Sequence, residues 1–295
     1  MSKPLFIWAG GKNKMLKHYK PILTSTVFND IKIDSYVEPF FGGGAMFIYI
    51  MTNYKPKKAF INDINPEIVS VYECIKNNYK EFLDRVIELE EEYLPLSFEE
   101  GTRNEDRREF YNEIRQSYWE DFEKWDKPYE AATLYFLMKT GFNGIFQTNK
   151  GNGRYGTPCG LLNQKDKVFD RDVVKWWHDV LQNVKITCGD WKQNTPDTSD
   201  IENAFYFFDP PYRDSFADYG NSFGDEQLIE LIDFADGKDK AFVCNRDSQD
   251  GWFEEHKKSM SMQLFDITYT AGRRKKTDKG YEAKKAKEVL LFHMK

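Results

Sequence analysis

The chain has 295 residues, of which 40% are hydrophobic and 16% aromatic, so it can build a packed core of one large or two ordinary domains and is not a disordered protein. Its formal net charge of −6 excludes a polycation, and contact with nucleic acid would need basic residues gathered locally. No apolar stretch approaches the roughly 18 residues that span a membrane, the N-terminus lacks the apolar core of a signal peptide, and the four cysteines form neither a CxxC pair nor a zinc-type cluster. We therefore expect a cytoplasmic protein without a metal site.

The first predicted elements are two short apolar strands, at residues 35–38 and 58–61. The first strand runs into Glu38 to Gly44, which ends in three glycines and precedes an apolar stretch that can begin a helix. A strand, a glycine turn and a helix let backbone N–H groups approach a ligand closely. Three glycines also suit an ordinary tight turn, so both interpretations stand at this point.

The second strand is followed by Asp63, at the position where α/β nucleotide sites place an acid that accepts a hydrogen bond from a ribose hydroxyl. A helix is predicted to begin near Pro66, and Asp63 or Asn65 equally suits its N-cap. The two roles are compatible if Asn65 caps the helix while Asp63 faces the ligand.

Between about residues 67 and 181 the pattern is mainly helical. Ile68, Val71, Tyr72 and Ile75 have the i, i+3, i+4, i+7 spacing of one face of an amphipathic helix. The same kind of spacing predicts further helices over residues 82–93, 111–118 and 131–138. The simplest architecture is an α/β sheet whose chain leaves after the second strand, builds a mostly helical domain and returns to finish the sheet.

The remaining strands are predicted from five more apolar runs, at residues 184–188, 204–208, 241–244, 264–269 and 288–292. Runs that are buried on both faces are typical of the strands of an α/β sheet. The sequence therefore predicts that most of the sheet follows the helical region in the chain.

Asp209-Pro210-Pro211-Tyr212 follows the strand at 204–208 directly. Two consecutive prolines cannot continue a strand ladder, because neither has a donor N–H, so they impose a rigid turn. Asp209 and the Pro210 carbonyl can accept hydrogen bonds from an exocyclic amino group while Tyr212 stacks on its base. Drawing the nitrogen lone pair out of conjugation makes that amine nucleophilic towards a methylsulfonium. The alternative is a purely structural loop.

These residues resemble the Dam-type (class alpha) DNA adenine-N6 methyltransferases. Four segments match in the family's order, namely Phe6 to Lys12, Glu38 to Gly44, Asp63, and Asp209 to Tyr212, and weaker matches lie at 110–115, 141–144 and 158–160. The resemblance implies a prokaryotic or phage-borne enzyme that transfers a methyl group from S-adenosylmethionine (SAM) to N6 of an adenine flipped out of double-stranded DNA. It also implies a Rossmann-like SAM-dependent methyltransferase sheet, formed by residues 1–75 and 184–295. A mostly helical target-recognition domain with a β-hairpin, residues 76–183, would be inserted into it.

The resemblance also assigns roles to individual positions. The catalytic residues would be Asp209, Pro210 and Tyr212. The cofactor contacts would be Trp8, Lys12, Phe40, Gly42, Gly44, Asp63, Asp190 and Asp209, although Asp190 equally suits a helix cap. The DNA contacts would be Phe142, Asn143, Gln147, Lys150, Arg154, Pro158, Arg273 and Arg274. Lys12, Lys14 and the segment 273–276 are further candidates for phosphate contacts, and the basic stretch 273–287 also suits a solvated loop.

The hairpin, residues 142–158, departs from the family's pattern. Members that read GATC usually carry an arginine three residues after the pair Asn143-Gly144, where this chain has Gln147. Arginine pairs bidentately with guanine, whereas glutamine favours adenine. We therefore expect a recognition sequence that is altered from GATC or relaxed.

Three other functions compete with this interpretation: N4-cytosine methylation, methylation of RNA or of a protein amide, and a catalytically silent DNA-binding protein. The aspartate that opens the Asp209 to Tyr212 motif favours adenine, and the large insert with its groove-type hairpin favours DNA. Intact Trp8, Lys12, Asp63 and Asp209 favour an active enzyme. An oligomeric partner, or a cognate nuclease that would form a restriction-modification pair, cannot be read from these motifs.

Overall fold

The computed structural model describes residues 3–8, 11–24, 31–100, 102–197, 201–213, 223–269, 275–277, 280–282 and 284–295. The strands are β1 (Ser35–Glu38), β2 (Lys58–Asp63), β3 (Val184–Cys188), β4 (Ala204–Phe208), β5 (Lys240–Asp247), β6 (Ser261–Tyr269), β7 (Lys275–Thr277), β8 (Gly280–Glu282) and β9 (Lys284–Met294). The helices are α1 (Leu16–Leu23), α2 (Ala45–Asn53), α3 (Pro66–Asn77), α4 (Tyr79–Tyr93), α5 (Glu105–Glu120), α6 (Lys127–Thr140), α7 (Arg171–Leu181), α8 (Trp191–Asn194), α9 (Asp225–Asp236) and α10 (Trp252–His256). In the described parts of the chain, no helix has the length and apolar character needed to cross a membrane.

Seven strands form one sheet, in the order β3-β2-β1-β4-β5-β9-β6. The strands β1 to β5 run parallel, while β9 pairs antiparallel with both β5 and β6. Each of the seven apolar runs predicted as a strand lies in one of these seven, so the predicted Rossmann-like α/β fold class is confirmed. The chain order reverses between β1 and β4, and open α/β sheets bind their ligands in the crevice beyond the strand ends at such a switch point.

The central strand β4 is apolar on both faces because both faces are covered. Phe205 and Phe207 of β4 belong to the larger hydrophobic cluster on one side of the sheet. Tyr206 and Phe208 alternate with them and pack on the other side against residues of α9 and α10. Every residue of β1 and β4 is buried, and burial on both sides explains why β4 has no polar face in the sequence.

The helical region predicted between β2 and β3 consists of α3 to α7. Helix α6 lies at its centre, since every residue from Ala131 to Met138 is buried, and it packs on α3, α4 and α5. Helix α7 joins this region to the sheet layer, because Trp177 stacks on Phe47 of α2 with ring centroids 5.4 Å apart. One hydrophobic cluster therefore runs from the sheet into the helical insert.

A buried arginine ties the loops of the insert together. Arg107 on α5 is 1% exposed, and its guanidinium donates to the carbonyls of Leu94, Leu96, Leu162 and Gln164 at 3.0, 3.3, 3.1 and 2.7 Å. A guanidinium has five N–H donors, so it can satisfy several carbonyls that would otherwise be buried without a partner. The charge is thus accommodated by backbone dipoles of two separate loops.

In place of the expected β-hairpin with regular strands, the structure has a loop that is closed by two isolated antiparallel bridges. Gly141 pairs with Cys159 and Thr148 pairs with Tyr155 as isolated bridges. Between them the Gln147 carbonyl accepts from the N–H of Gly156 at 2.7 Å. The loop, residues 141–159, includes five glycines at 141, 144, 151, 153 and 156, and glycine weakens a regular strand. We refer to residues 141–159 as the hairpin loop.

Candidate active site

The carboxyl ends of β1 to β4 meet at the switch point of the sheet. β1 is followed by the glycine turn 40–44, β2 ends at Asp63, β3 is followed by Asp190, and β4 is followed by Asp209. Because parallel strands of a sheet end on the same side, these residues lie along one edge although they span most of the sequence. The structure therefore brings the main predicted site residues to one crevice.

The glycine turn has a backbone that other residues rarely adopt. Gly42 and Gly44 have φ values of +48° and +64°, in the left-handed region that favours glycine. A Cβ atom added at Gly42 would lie 2.5 Å from Nε1 of Trp8. The indole of Trp8 therefore packs directly on the turn, so both the backbone conformation and this close contact require glycine there.

Asp63 and Asn65 have separate roles. The side chain of Asn65 caps α3 by accepting from the N–H groups of Glu67 and Ile68 at 3.0 and 3.3 Å. Asp63 instead accepts from the N–H of Gly42 at 2.7 Å and from that of Asn65 at 3.0 Å. Burial raises the pKa of Asp63 above its usual range, and these N–H donors oppose that rise. Asp63 thus joins the end of β2 to the glycine turn.

Asp190 is exposed at the end of β3 and caps α8, since its carboxylate accepts from the N–H of Lys192 at 2.8 Å. The capping role left open by the sequence is therefore present. Beside it, the ring of Phe40 lies between two aromatic rings, with its centroid 6.2 Å from that of Trp191 and 5.7 Å from that of Phe223. This end of the crevice has apolar ring surfaces and a carboxylate.

Lys12 connects the N-terminal segment to the motif that follows β4. Its side chain is 3% exposed, and Nζ lies 2.5 Å from Oδ1 of Asp209. The same Nζ donates to the hydroxyl of Tyr212 at 3.0 Å and lies 4.8 Å from the centre of its ring. The hydroxyl of Tyr212 in turn donates to Oε1 of Glu288 at 2.5 Å. A buried cation therefore lies between the acid and the aromatic ring of the motif.

The charges of this group depend on each other. Burial raises the pKa of Asp209 to about 6, Lys12 opposes the rise, and the negative charge of Glu288 adds to it. Burial alone would lower the pKa of Lys12, but the charges of Asp209 and Glu288 more than offset it, so that its pKa lies above its usual value. At neutral pH the lysine is therefore charged and Asp209 is largely ionised.

A buried asparagine holds the backbone of the motif. Asn245 on β5 is fully buried. Its Oδ1 accepts from the N–H of Arg213 at 3.1 Å, and its Nδ2 donates to the Pro211 carbonyl at 3.5 Å. The side chain of Arg213 forms ion pairs with Asp225 and Asp250. These contacts fix the exit of the double-proline turn, which cannot be held by a strand ladder.

The predicted DNA contacts of the hairpin loop lie mostly on the surface. Five of them are exposed: Phe142, Asn143, Gln147, Lys150 and Pro158. Phe142 is 45% exposed although its side chain is large and apolar. The structure therefore places these five residues on one loop and leaves their side chains accessible.

Arg154 differs from the other residues predicted to contact DNA. It forms an ion pair with Glu130 that leaves its side chain 13% exposed, and its guanidinium lies 4.3 and 3.8 Å from the ring centres of Tyr118 and Phe122. This arrangement disfavours the predicted phosphate contact, because Arg154 already has a carboxylate partner and two aromatic neighbours.

The other residues predicted to contact phosphates differ in their exposure. Lys12 is buried against Asp209, which disfavours a role in holding phosphates, whereas Lys14 is exposed in the same 3-10 turn. Arg273 and Arg274 lie outside the described residues, so their predicted contacts stay predictions.

Sequence reasoning missed two residues of the site. Glu288 was assigned only to the last strand, and Asn245 follows the predicted strand 241–244. The available signal was a polar residue directly at the end of an apolar run. That signal is weak in a single sequence, because such residues are usually solvated.

Comparison with known proteins agrees with this geometry. Residues 8–275 match the family model for the D12 class N6 adenine-specific DNA methyltransferases. The chain is 34% identical over 244 residues to the Type II methyltransferase M.MjaIII of Methanocaldococcus jannaschii, covering 81% of each protein. It is 27% identical to the Type II methyltransferase M1.LlaDCHI of Lactococcus lactis subsp. cremoris, with 92% of this chain and 89% of the relative covered. It is 26% identical to the DNA adenine methylase of Escherichia coli, with 92% and 91% covered.

The match to the family model spans the glycine turn, Asp63, Asp190 and the Asp209 to Tyr212 motif, which are the parts of the chain that meet in the crevice. The resemblance identified from the four sequence segments is therefore confirmed, together with SAM as the methyl donor. The chain belongs to the D12 class of N6 adenine-specific DNA methyltransferases.

Proposed function

We propose that the chain methylates an adenine flipped out of double-stranded DNA, with Asp209, Pro210 and Tyr212 as its catalytic residues. The observation that carries this assignment is the group at the end of β4, where Lys12 pairs with Asp209 and contacts Tyr212 in the switch-point crevice. To bind a flipped base, a site needs an acceptor for the exocyclic amine and an aromatic ring that stacks on the base. Asp209 and Tyr212 provide these two groups side by side.

The residues of the crevice offer donors and acceptors that suit SAM. The turn at Gly42 and Gly44 offers backbone without side chains, and we assign it to the methionine moiety, next to Trp8. Asp63 offers a carboxylate for the ribose hydroxyls. Lys12 pairs with Asp209 and holds its carboxylate in the crevice, and we assign its effect on the cofactor to this pairing.

The adenine of the cofactor suits the other end of the crevice. Phe40 and its aromatic neighbours provide flat apolar surfaces, and the exposed carboxylate of Asp190 can accept from an amino group while it caps α8. When bound, SAM supplies a methyl group on a positively charged sulfur.

The residues of the motif prepare the adenine amino group for transfer. Asp209 is largely ionised at neutral pH, so we assign its carboxylate and the Pro210 carbonyl as acceptors for the two N6 hydrogens. Tyr212 stacks on the base and fixes its plane. Most of the acceleration then comes from alignment in a closed site, and flipping the base costs a few kcal/mol.

We assign target recognition to residues 76–183 and the methyl-transfer domain to residues 1–75 and 184–295. The exposed residues of the hairpin loop support this division, because a loop that enters a DNA groove must present accessible polar side chains. We assign Phe142 to the space that the flipped adenine leaves. We assign the exposed Lys150 and Lys14 to phosphate contacts. The relatives come from an archaeon and bacteria, which supports a cytoplasmic enzyme in a prokaryote or its phage. Two of them are named Type II methyltransferases, which supports a role in restriction-modification.

Gln147 supports a target other than GATC. Its backbone N–H donates to Oγ1 of Thr157 at 3.0 Å, and its carbonyl accepts from the N–H of Gly156. With both backbone groups held, the exposed side chain is presented from a fixed position. Glutamine at this position favours adenine over guanine.

The test is methylation of unmethylated genomic DNA by the purified protein with SAM, followed by mapping of modified bases. We expect N6-methyladenine within one short motif other than GATC, or within a relaxed set. Gln147→Arg should move the preference towards guanine at one position. Methylation by the unaltered protein confined to GATC would contradict the role of Gln147. Modified cytosine, or no modification of DNA that the protein binds, would contradict the catalytic assignment itself.

A further inference from the structure

Glu288 is a buried acid at the edge of the site. It lies in β9, which pairs with β5 and β6, opposite Arg246 on one side and Phe265 on the other. The residue is 2% exposed. An acid with so little exposure is rarely found in a protein unless its charge is balanced, so its surroundings indicate what it does.

Those surroundings are the catalytic motif. Oε1 of Glu288 accepts from the hydroxyl of Tyr212 at 2.5 Å. The same hydroxyl accepts from Nζ of Lys12 at 3.0 Å, and that Nζ lies 2.5 Å from Asp209. Four residues from three separate segments of the chain therefore form one line of contacts: Glu288, Tyr212, Lys12 and Asp209.

The hydroxyl of Tyr212 is held from two sides, as an acceptor from a cation and as a donor to an anion. A tyrosine ring at the end of a loop can otherwise turn about its side-chain torsions, and a ring that receives a base by stacking must keep its plane. Charged partners give hydrogen bonds about twice as strong as neutral ones. Glu288 is thus suited to fix the ring without touching the DNA itself.

We propose that Glu288 is a positioning residue for methyl transfer, which orients the ring of Tyr212 through its hydroxyl and shares Lys12 with Asp209. This inference rests on the proposed roles of Asp209 and Tyr212. It adds to them a residue from the far end of the chain, beyond the segment 8–275 that the family model matches.

The first experiment is the variant Glu288→Gln, which keeps the size of the side chain and removes its charge. We expect kcat to fall about 10- to 100-fold, as a small misplacement of reacting groups can cost that much, while the Kd for SAM changes little. The matched control is Glu254→Gln on α10, whose side chain is 61% exposed and lies outside the crevice. It should keep the kcat of the unaltered protein.

A double-mutant cycle separates positioning from a structural role. Tyr212→Phe keeps the ring and removes the hydroxyl through which Glu288 is inferred to act. In that background Glu288→Gln should change kcat less than about twofold, because contacting residues give non-additive effects. The comparison is made near pH 8, where Asp209 is ionised in every variant. An equal loss of kcat in both backgrounds would overturn the inference.

The pH profile gives a second signature. The negative charge of Glu288 adds to the raised pKa of Asp209, so Glu288→Gln should move the acidic limb of kcat to lower pH. The other titratable groups coupled to these charges are unchanged in the variant: Lys12, Tyr19, Tyr36, Glu38 and Cys244. An acidic limb that stays in place would count against the shared charge network.

The outcomes distinguish this inference from the proposed function. If the unaltered protein methylates adenine and Glu288→Gln is equally active, the inference alone is wrong. If the unaltered protein binds SAM and DNA without methylating adenine, the roles of Asp209 and Tyr212 are wrong, and the inference falls with them.

Discussion

Lys12 and Asp209 are 197 positions apart in the sequence, and 2.5 Å separates their charged groups. The pairing explains how a carboxylate can stay charged in a buried site, because a nearby cation compensates for part of the solvation that the carboxylate loses. The sequence predicts Lys12 as a cofactor contact and also as a phosphate contact. Its burial against Asp209 disfavours the phosphate contact, and the cofactor contact stays a prediction. The ionisation of a catalytic residue thus depends on which charged side chains lie next to it.

Asp209→Ala should lower turnover by about 10²- to 10⁴-fold, because the variant lacks the acceptor that aligns the amine. DNA affinity should change little, since Asp209 lies in the crevice and the exposed DNA candidates lie on the hairpin loop. In the unaltered protein kcat should fall as pH decreases through about 6, where Asp209 takes up a proton. Steady-state kinetics and DNA binding by fluorescence anisotropy measure both effects. Unchanged turnover would remove Asp209 from the mechanism.

Lys12→Met should move the acidic limb of kcat to higher pH. The charge of Lys12 opposes the raised pKa of Asp209, so its removal raises that pKa above about 6 and lowers kcat at neutral pH. The shift is opposite in sign to that expected for Glu288→Gln. A kcat profile from about pH 5 to about pH 9 gives the measurement, and a shift in the same direction for both variants would contradict the charge network.

The helical insert is held by polar contacts as well as by apolar packing. Helix α6 is buried on all sides from Ala131 to Met138, so this part of its sequence has no polar stripe and gives a weak amphipathic signal. The loops around it are joined to α5 by Arg107. In the sequence Arg107 resembles a solvated charge on a helix surface, but in the structure its side chain holds the loops of the insert together.

Arg107→Ala should lower the free energy of unfolding by about 3 kcal/mol or more, because four backbone carbonyls lose their donor in a buried place. The control is Arg103→Ala, at an exposed position just before α5, which should change it by less than about 0.5 kcal/mol. Urea denaturation followed by circular dichroism measures both. Equal stability of the two variants would show that water or neighbouring groups replace the guanidinium.

The larger of the two hydrophobic clusters includes residues of both the sheet and the helical insert. Trp177 illustrates this continuity, since it stacks on Phe47 of α2 and donates from its indole N–H to the carbonyl of Lys3. The division at residue 75 that follows from the resemblance falls inside α3 (Pro66–Asn77), so the two proposed domains share a helix. We expect them to unfold together.

Thermal unfolding should therefore give one transition, with far-UV circular dichroism and tryptophan fluorescence coinciding. SAM at about 100 times its Kd should stabilise the folded state by about 2.7 kcal/mol and move both signals equally. Two transitions, with only the later one sensitive to SAM, would show that the insert folds independently and would contradict the shared core.

The sequence alone determined the local elements and the family. Apolar runs predicted all seven strands of the main sheet, because a strand buried on both faces has little freedom in its composition. The Asp209 to Tyr212 motif was identified because two prolines at a strand end force a specific turn. These signals are local, so a single sequence contains them completely.

Only the tertiary structure decided which residues face each other across the crevice. It showed that Asn65 caps α3 while Asp63 binds the glycine turn, that Arg154 pairs with Glu130, and that Glu288 reaches Tyr212. Each of these outcomes depends on contacts between distant segments of the chain. Hydrogen bonds, burial and charge pairs between such segments depend on the order of the strands within the sheet. The spacing of residues along the sequence does not specify that order.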